Sequence, residues 1–182
     1  MLKSKIEMKK LNQDISTART LLRKYVESDR EKFAEISIDK EVNHYIGGRC
    51  EIREDAYKLF DKCFEVYNGV FPDRHFEIWA IESNSELIGH FELKQTKDTN
   101  HKELEAVYLL DKLSWGQGLM SEILREINEY AYHQNKQLIA TINPENEKTI
   151  RVLEKIGMER KEYINEGKDR TLKIWIKKFL IT

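Results

Sequence analysis

Residues Ser114 to Ile123 read SWGQGLMSEI, and two of the chain's 8 glycines, Gly116 and Gly118, stand there one residue apart. They lie between an apolar run, LEAVYLL (Leu104 to Leu110), and a run with helical spacing, SEILREINEYAY. One reading is a plain tight turn. The other is a turn that exposes backbone N–H groups at a helix N-terminus, where unpaired donors and the positive end of the helix dipole hold an anion such as a phosphate. Other reactive residue types point to no second chemistry. The five histidines, His44, His75, His90, His101 and His133, lack the spacing of a metal site, so no metal is expected. The chain contains no Gly-x-Ser-x-Gly element, and nothing around Cys50 or Cys63 marks a reactive thiol.

A phosphate turn works only if a strand delivers it and a helix leaves it, so the flanking elements matter. At 182 residues the chain is most simply one domain with a substantial core. Forty per cent apolar and 35% charged residues, with a mean hydropathy of -0.65, describe a folded, water-soluble protein. A net charge of -1, from 31 basic and 32 acidic residues, gives no overall footprint for nucleic acid. The one basic cluster, MLKSKIEMKK, reads as a solvated tail. Two cysteines form no disulfide framework, and no window approaches a signal peptide or a membrane span. The expectation is a cytoplasmic protein without a membrane or nucleic-acid partner.

Along the chain, TLLRKY (Thr20 to Tyr25) reads as a strand, followed by a helix capped at Ser28 or Asp29. Ala56, Leu59, Phe60, Cys63, Val66 and Tyr67 follow helical spacing, and Asn68-Gly69 closes that helix. FEIWAIE and LIGHFELKQ form a hairpin around SNSE. LEAVYLL reads as a central strand, and KQLIATI (Lys136 to Ile142) as another. PENEKTIRVLEKIGM is helical up to Gly157, and the chain closes as a hairpin turning at Gly167. The pattern predicts an α/β (α+β) domain with a largely antiparallel sheet and no internal repeat.

Three segments in this order resemble one family. The order of elements, AVYLLDKLSWGQGLMSE after the fourth predicted strand and NPENEKTIRVLEKIGM after the fifth are similar to the GNAT superfamily of acetyl-CoA-dependent N-acetyltransferases. The likeness is greatest to the branch containing the ribosomal-protein N-terminal acetyltransferases. It spans residues 17–182 and leaves residues 1–16 as a polar extension. It implies a mixed, twisted sheet of about seven strands, splayed between the fourth and fifth, with about four flanking helices. By the same resemblance, Trp115, Gly116, Gln117, Gly118, Leu119 and Met120, with Ser121 opening the helix, wrap the pyrophosphate of coenzyme A. Met120 departs from the usual Gly or Ala, and its side chain either crowds the cofactor or points into the core.

The resemblance also implies direct attack of an amine on the thioester carbonyl of acetyl-CoA, which serves as co-substrate. The backbone of Tyr108, Leu109 and Leu110 would pair with the pantetheine arm, while their side chains read as sheet core. Glu105, read as the single acidic residue of its strand, would be the base, against the alternative of a solvent-facing or lysine-paired carboxylate. The family's tyrosine acid falls at Leu153 and is missing. Thr149 would then serve the leaving sulfur and Asn146 the pantetheine arm, or the two are simply a helix cap and a first-turn residue. The acceptor groove would lie between Asn43 and Asp73, with Glu51, Glu54, Asp55 and Asp61 either attracting a cationic amine or forming a solvated face. Partners are a protein N-terminus or a small-molecule amine, and a homodimer is compatible. The alternative function is a catalytically degenerate acyl-CoA-binding sensor or assembly module.

Overall fold

In a computed structural model, the structure describes residues 12–46, 50–71, 74–166 and 169–176, with side chains described up to residue 160. Its elements run β1 (Ile15–Ser16), β2 (Leu21–Arg23), α1 (Arg30–Ile38), α2 (Arg53–Tyr67), β3 (Phe76–Ser83), β4 (Glu86–Lys94), β5 (Glu103–Leu110), α3 (Leu119–Tyr132), β6 (Gln137–Ile142), α4 (Glu147–Lys155), β7 (Met158–Glu166) and β8 (Asp169–Ile176). One sheet takes all eight strands in the order β1-β2-β3-β4-β5-β6-β8-β7. Only β5 and β6 run parallel, and all other neighbours are antiparallel.

The α+β class and the mixed sheet agree with the sequence reading, and one short strand joins the roughly seven expected. The additional strand, β1, is only two residues long, too short to carry an alternating pattern. It falls inside the stretch read as a polar extension, and Asn12 is tied down as well. The Asn12 N–H donates to Glu77 Oε2 at 2.7 Å, and Tyr130 of α3 donates to the same oxygen at 2.7 Å. The rest of that extension, residues 1–11, and the turn at Gly167 lie outside the described residues.

Two apolar layers sandwich the sheet. Phe33, Ala34 and Ile36 of α1 and Ala56, Phe60, Cys63 and Val66 of α2 cover one face. Leu119, Met120, Ile123, Leu124 and Ile127 of α3 and Ile150 and Leu153 of α4 cover the other. Three local expectations change. Leu59 is largely exposed, because the buried stripe of α2 runs through its neighbour Phe60. Asp29 stands at the N-cap of α1 but makes no side-chain cap bond, since its carboxylate is taken by Arg23 at 2.7 Å and by the Val26 N–H at 2.9 Å. The β3–β4 turn is reduced to Asn84 and Ser85, both with positive φ, as a right-twisted two-residue hairpin requires. Among the described residues no helix is long and apolar enough to cross a membrane.

Gly89 sets how closely β4 approaches β5. A Cβ there would stand 2.5 Å from the Leu109 carbonyl oxygen and 2.7 Å from Leu110 Cδ2. Gly89→Ala is therefore expected to cost about 2 kcal/mol, read as a lowered thermal midpoint, with the sheet pushed apart at Leu109.

Candidate functional site

The site begins where β5 and β6 stop pairing. Their parallel register covers Glu103↔Gln137, Leu104↔Leu138 and Glu105↔Ile139, and goes no further. Beyond it β6 stays with β8 through Ile142, and β5 stays with β4 through Leu110. The inner edges of both strands therefore part into a cleft. It is lined by Ala106, Val107 and Tyr108 on one side and by Ala140, Thr141, Ile142 and Asn143 on the other, with Asn146 and Thr149 at the start of α4. Backbone groups of β5 that point into this gap have no strand partner, so they are available to a ligand. Tyr45 spans the gap from the loop after α1, its hydroxyl donating to the Glu145 carbonyl at 3.2 Å.

The strand β5 feeds the Gly-x-Gly turn. Asp111 caps a short 3-10 turn over Lys112–Ser114 by accepting from the Leu113 N–H. The chain then turns through Gly116 (φ 74°) and Gly118 (φ 80°), left-handed conformations that favour glycine. Gly118 occupies the N-cap of α3, where a residue without a side chain leaves the first-turn N–H groups open. The first capping bond of the helix runs from the Glu122 N–H to the Gly118 carbonyl, so Leu119, Met120 and Ser121 precede it.

Contacts from outside the turn hold it in shape. Trp115 Nε1 donates to the Leu110 carbonyl at 2.8 Å, and Gln117 Nε2 donates to the Leu113 carbonyl at 2.9 Å. Arg19 Nη1 donates to the Gln117 carbonyl at 3.1 Å while its guanidinium pairs with Glu122 at 2.9 Å. Lys148 lies over the Trp115 ring, 4.7 Å from its centroid, and brings a cation to the glycine turn. Met120 is buried in the core beneath α3 and leaves the turn unobstructed. Leu110 belongs to the same core, whereas Leu109 packs on the opposite face against α1 and α2.

Glu105 is buried but faces neither solvent nor a lysine. Thr96 Oγ1 donates to its Oε2 at 2.7 Å, and Thr141 Oγ1 donates to its Oε1. Thr141 also lines the cleft, so its hydroxyl connects Glu105 to the open space. Lys94 stands directly across from Glu105 in the sheet, yet its ammonium goes to Glu92 at 2.5 Å. Burial alone would raise the Glu92 carboxyl. His90, at 3.2 Å, and Lys94 outweigh it and hold that carboxyl at about 2. Glu105 is not the only acidic residue of its strand, because β5 starts at Glu103.

At the start of α4, Asn146 accepts from the Thr149 N–H at 3.2 Å, which fixes the first turn against the cleft. Leu153 is wholly buried in the core and offers no chemistry. Of the charges read on α2, Asp61 pairs with Arg30 at 2.6 Å and Asp55 with Lys58 at 3.1 Å, while Glu51 and Glu54 are exposed. The sequence reading missed Arg19, Thr96, Thr141 and Lys148. Each is brought in by register or by a long-range contact that leaves no local pattern.

The sequence profile of the acetyltransferase (GNAT) domain matches residues 19–159. A curated relative from Bacillus subtilis (strain 168), named Probable N-acetyltransferase YjcK, is 30% identical over 136 residues, 72% of this chain and 70% of its own. Among solved structures, a GNAT-family acetyltransferase from Bacillus anthracis superposes with a TM-score of 0.74 at 25% identity, covering 90% of this chain and 98% of its own. Mycobacterium smegmatis RimJ in complex with CoA-disulfide superposes with a TM-score of 0.75 at 15% identity, covering 91% and 87%.

The Asn146 cap orders the first turn of α4. Asn146→Ala is expected to cost about 1 kcal/mol in thermal unfolding and to increase amide exchange in that turn, with exchange in α3 unchanged.

Proposed function

Because the chain belongs to the GNAT acetyltransferase family, we propose that it transfers the acetyl group of acetyl-CoA to a primary amine by direct attack in a ternary complex. The observation that carries this reading is the cleft between β5 and β6, which opens beside the uncapped N-terminus of α3. The pyrophosphate would rest on the turn from Trp115 to Met120, with Ser121 completing the first turn. The pantetheine arm would run along the backbone of Tyr108, Leu109 and Leu110 and past Asn146. The superposition with a fold that holds CoA-disulfide supports this path.

In the reaction, the amine nitrogen attacks the thioester carbonyl and gives up a proton. Glu105 receives it through the Thr141 hydroxyl or a water beside it, since Thr141 both lines the cleft and donates to the carboxylate. Unpaired N–H groups of β5 at the gap stabilise the oxyanion. Thr149 contributes a hydroxyl on the sulfur side. The acceptor, a protein N-terminus or a small-molecule amine, would approach from the face of α1 and α2, where Tyr45 and Ile46 border the cleft. With Met120 turned inward, a ligand-sensing role without turnover has only Leu153 to recommend it.

Isothermal titration of the intact protein with acetyl-CoA is expected to give micromolar affinity. Gly118→Asp, which adds a negative charge and a side chain at φ 80°, is expected to weaken it at least about 100-fold. Absence of binding to the intact protein would overturn the reading. In steady-state turnover with a responsive amine, Glu105→Gln is expected to lower kcat about 100-fold while acetyl-CoA affinity stays within about twofold. An unchanged rate would exclude Glu105 as the base.

A further inference from the structure

We infer that the Tyr108 hydroxyl is the hydrogen-bond donor that meets the thioester sulfur in the cleft. This rests on the reading that acetyl-CoA occupies the gap between β5 and β6. Tyr108 lies on the stretch of β5 that no longer pairs with β6, and it lines the cleft together with Ala140, Asn146 and Thr149. Its side chain packs on the face covered by α3 and α4, and its ring stacks on Phe91 with centroids 5.9 Å apart and planes 10° apart. The ring is thus held in place, and the hydroxyl cannot swing away to find a partner elsewhere.

That hydroxyl oxygen is buried and makes no well-formed hydrogen bond among the described residues. The Thr149 side chain stands close enough to draw on it without satisfying it. Buried hydroxyls in folded proteins are nearly always paired, so an unpaired one on a residue that lines a ligand cleft marks the position of a missing acceptor. The sulfur side of the cleft, beside the first turn of α4, is where that acceptor would lie. Leu153 cannot serve there, because it is wholly buried in the core. The donor comes instead from the strand.

The environment also determines what the hydroxyl can do. Burial pushes the phenol well up, with Thr149 pulling it only partly back, so Tyr108 stays neutral across the working range of pH. Tyr108 therefore donates a hydrogen bond and keeps its proton. The amine nitrogen bonds to the carbonyl carbon, and the carbon–sulfur pair leaves on sulfur, where the Tyr108 O–H stabilises the negative charge. The thiolate then takes a proton from solvent, and the proton accepted by Glu105 returns to solvent.

Coenzyme A and desulfo-coenzyme A, which lacks the sulfur, separate this role from packing. Both are titrated into the intact protein at about pH 9, where much of the free thiol is ionised. The intact protein is expected to prefer coenzyme A about tenfold. Tyr108→Phe keeps the ring on Phe91 and is expected to bind the two within about twofold, with desulfo-coenzyme A affinity unchanged and kcat about tenfold lower. Thr149→Val is expected to retain most of the preference. The inference is overturned if Tyr108→Phe keeps the preference, if it loses affinity for both ligands equally, or if the intact protein binds both alike. If neither ligand binds the intact protein, the coenzyme reading of the cleft fails first.

Discussion

The structure depends on a pairing that stops. Three residue pairs join β5 to β6, after which each strand follows its outer neighbour and the inner edges part. An open edge inside a sheet leaves polar backbone groups without partners, each costing about 1–3 kcal/mol when buried dry. The fold sustains this because β3, β4 and β5 on one side and β6, β7 and β8 on the other are each fully laddered. Because β5 and β6 are parallel, their C-terminal ends lie on the same side, and α3 and α4 both start there. Two positive helix ends thus converge where the cleft opens, and an anionic ligand is favoured there before any side chain contributes.

How much of this was legible depended on whether the signal was local. Gly116 and Gly118 could be read because a left-handed backbone demands glycine, and that demand shows in the chain itself. Asn146 could be read because a cap needs only its own first turn. The direction of Met120 stayed open in the sequence, and only the structure places it in one buried helical stripe with Ile123, Leu124 and Ile127. Strand β1 was not legible, because two residues show no period. Nor were the partners of Glu105, because Thr96 and Thr141 reach it through β4–β5 and β5–β6 register, which one strand's sequence does not specify.

Two carboxylates on neighbouring strands, Glu105 buried and Glu92 half-buried, have different surroundings. Glu92 and Glu105 both flank Val107 on the face toward α1 and α2, since Glu92 pairs with Val107 and Lys94 with Glu105. Glu92 is bonded by the His90 ring and the Lys94 ammonium, which hold it as an anion. Glu105 is held by neutral hydroxyls that donate to both of its oxygens. A carboxylate held by an ammonium is a poor proton acceptor, whereas Glu105 has a hydroxyl route to the cleft through Thr141.

The sheet itself keeps the two halves of the proposed chemistry apart. On the side of α3 and α4 lie the glycine turn, the helix N-termini, Tyr108 and Thr149, a surface suited to phosphate and sulfur. On the side of α1 and α2 lie the carboxylates and the loop bearing Tyr45, a surface suited to a cationic amine. A negative base beside a negative coenzyme would repel it and gain nothing from the helix dipoles. On the proposed reading, opposite faces remove that conflict, and the gap between β5 and β6 gives an amine on one face a line to a thioester on the other.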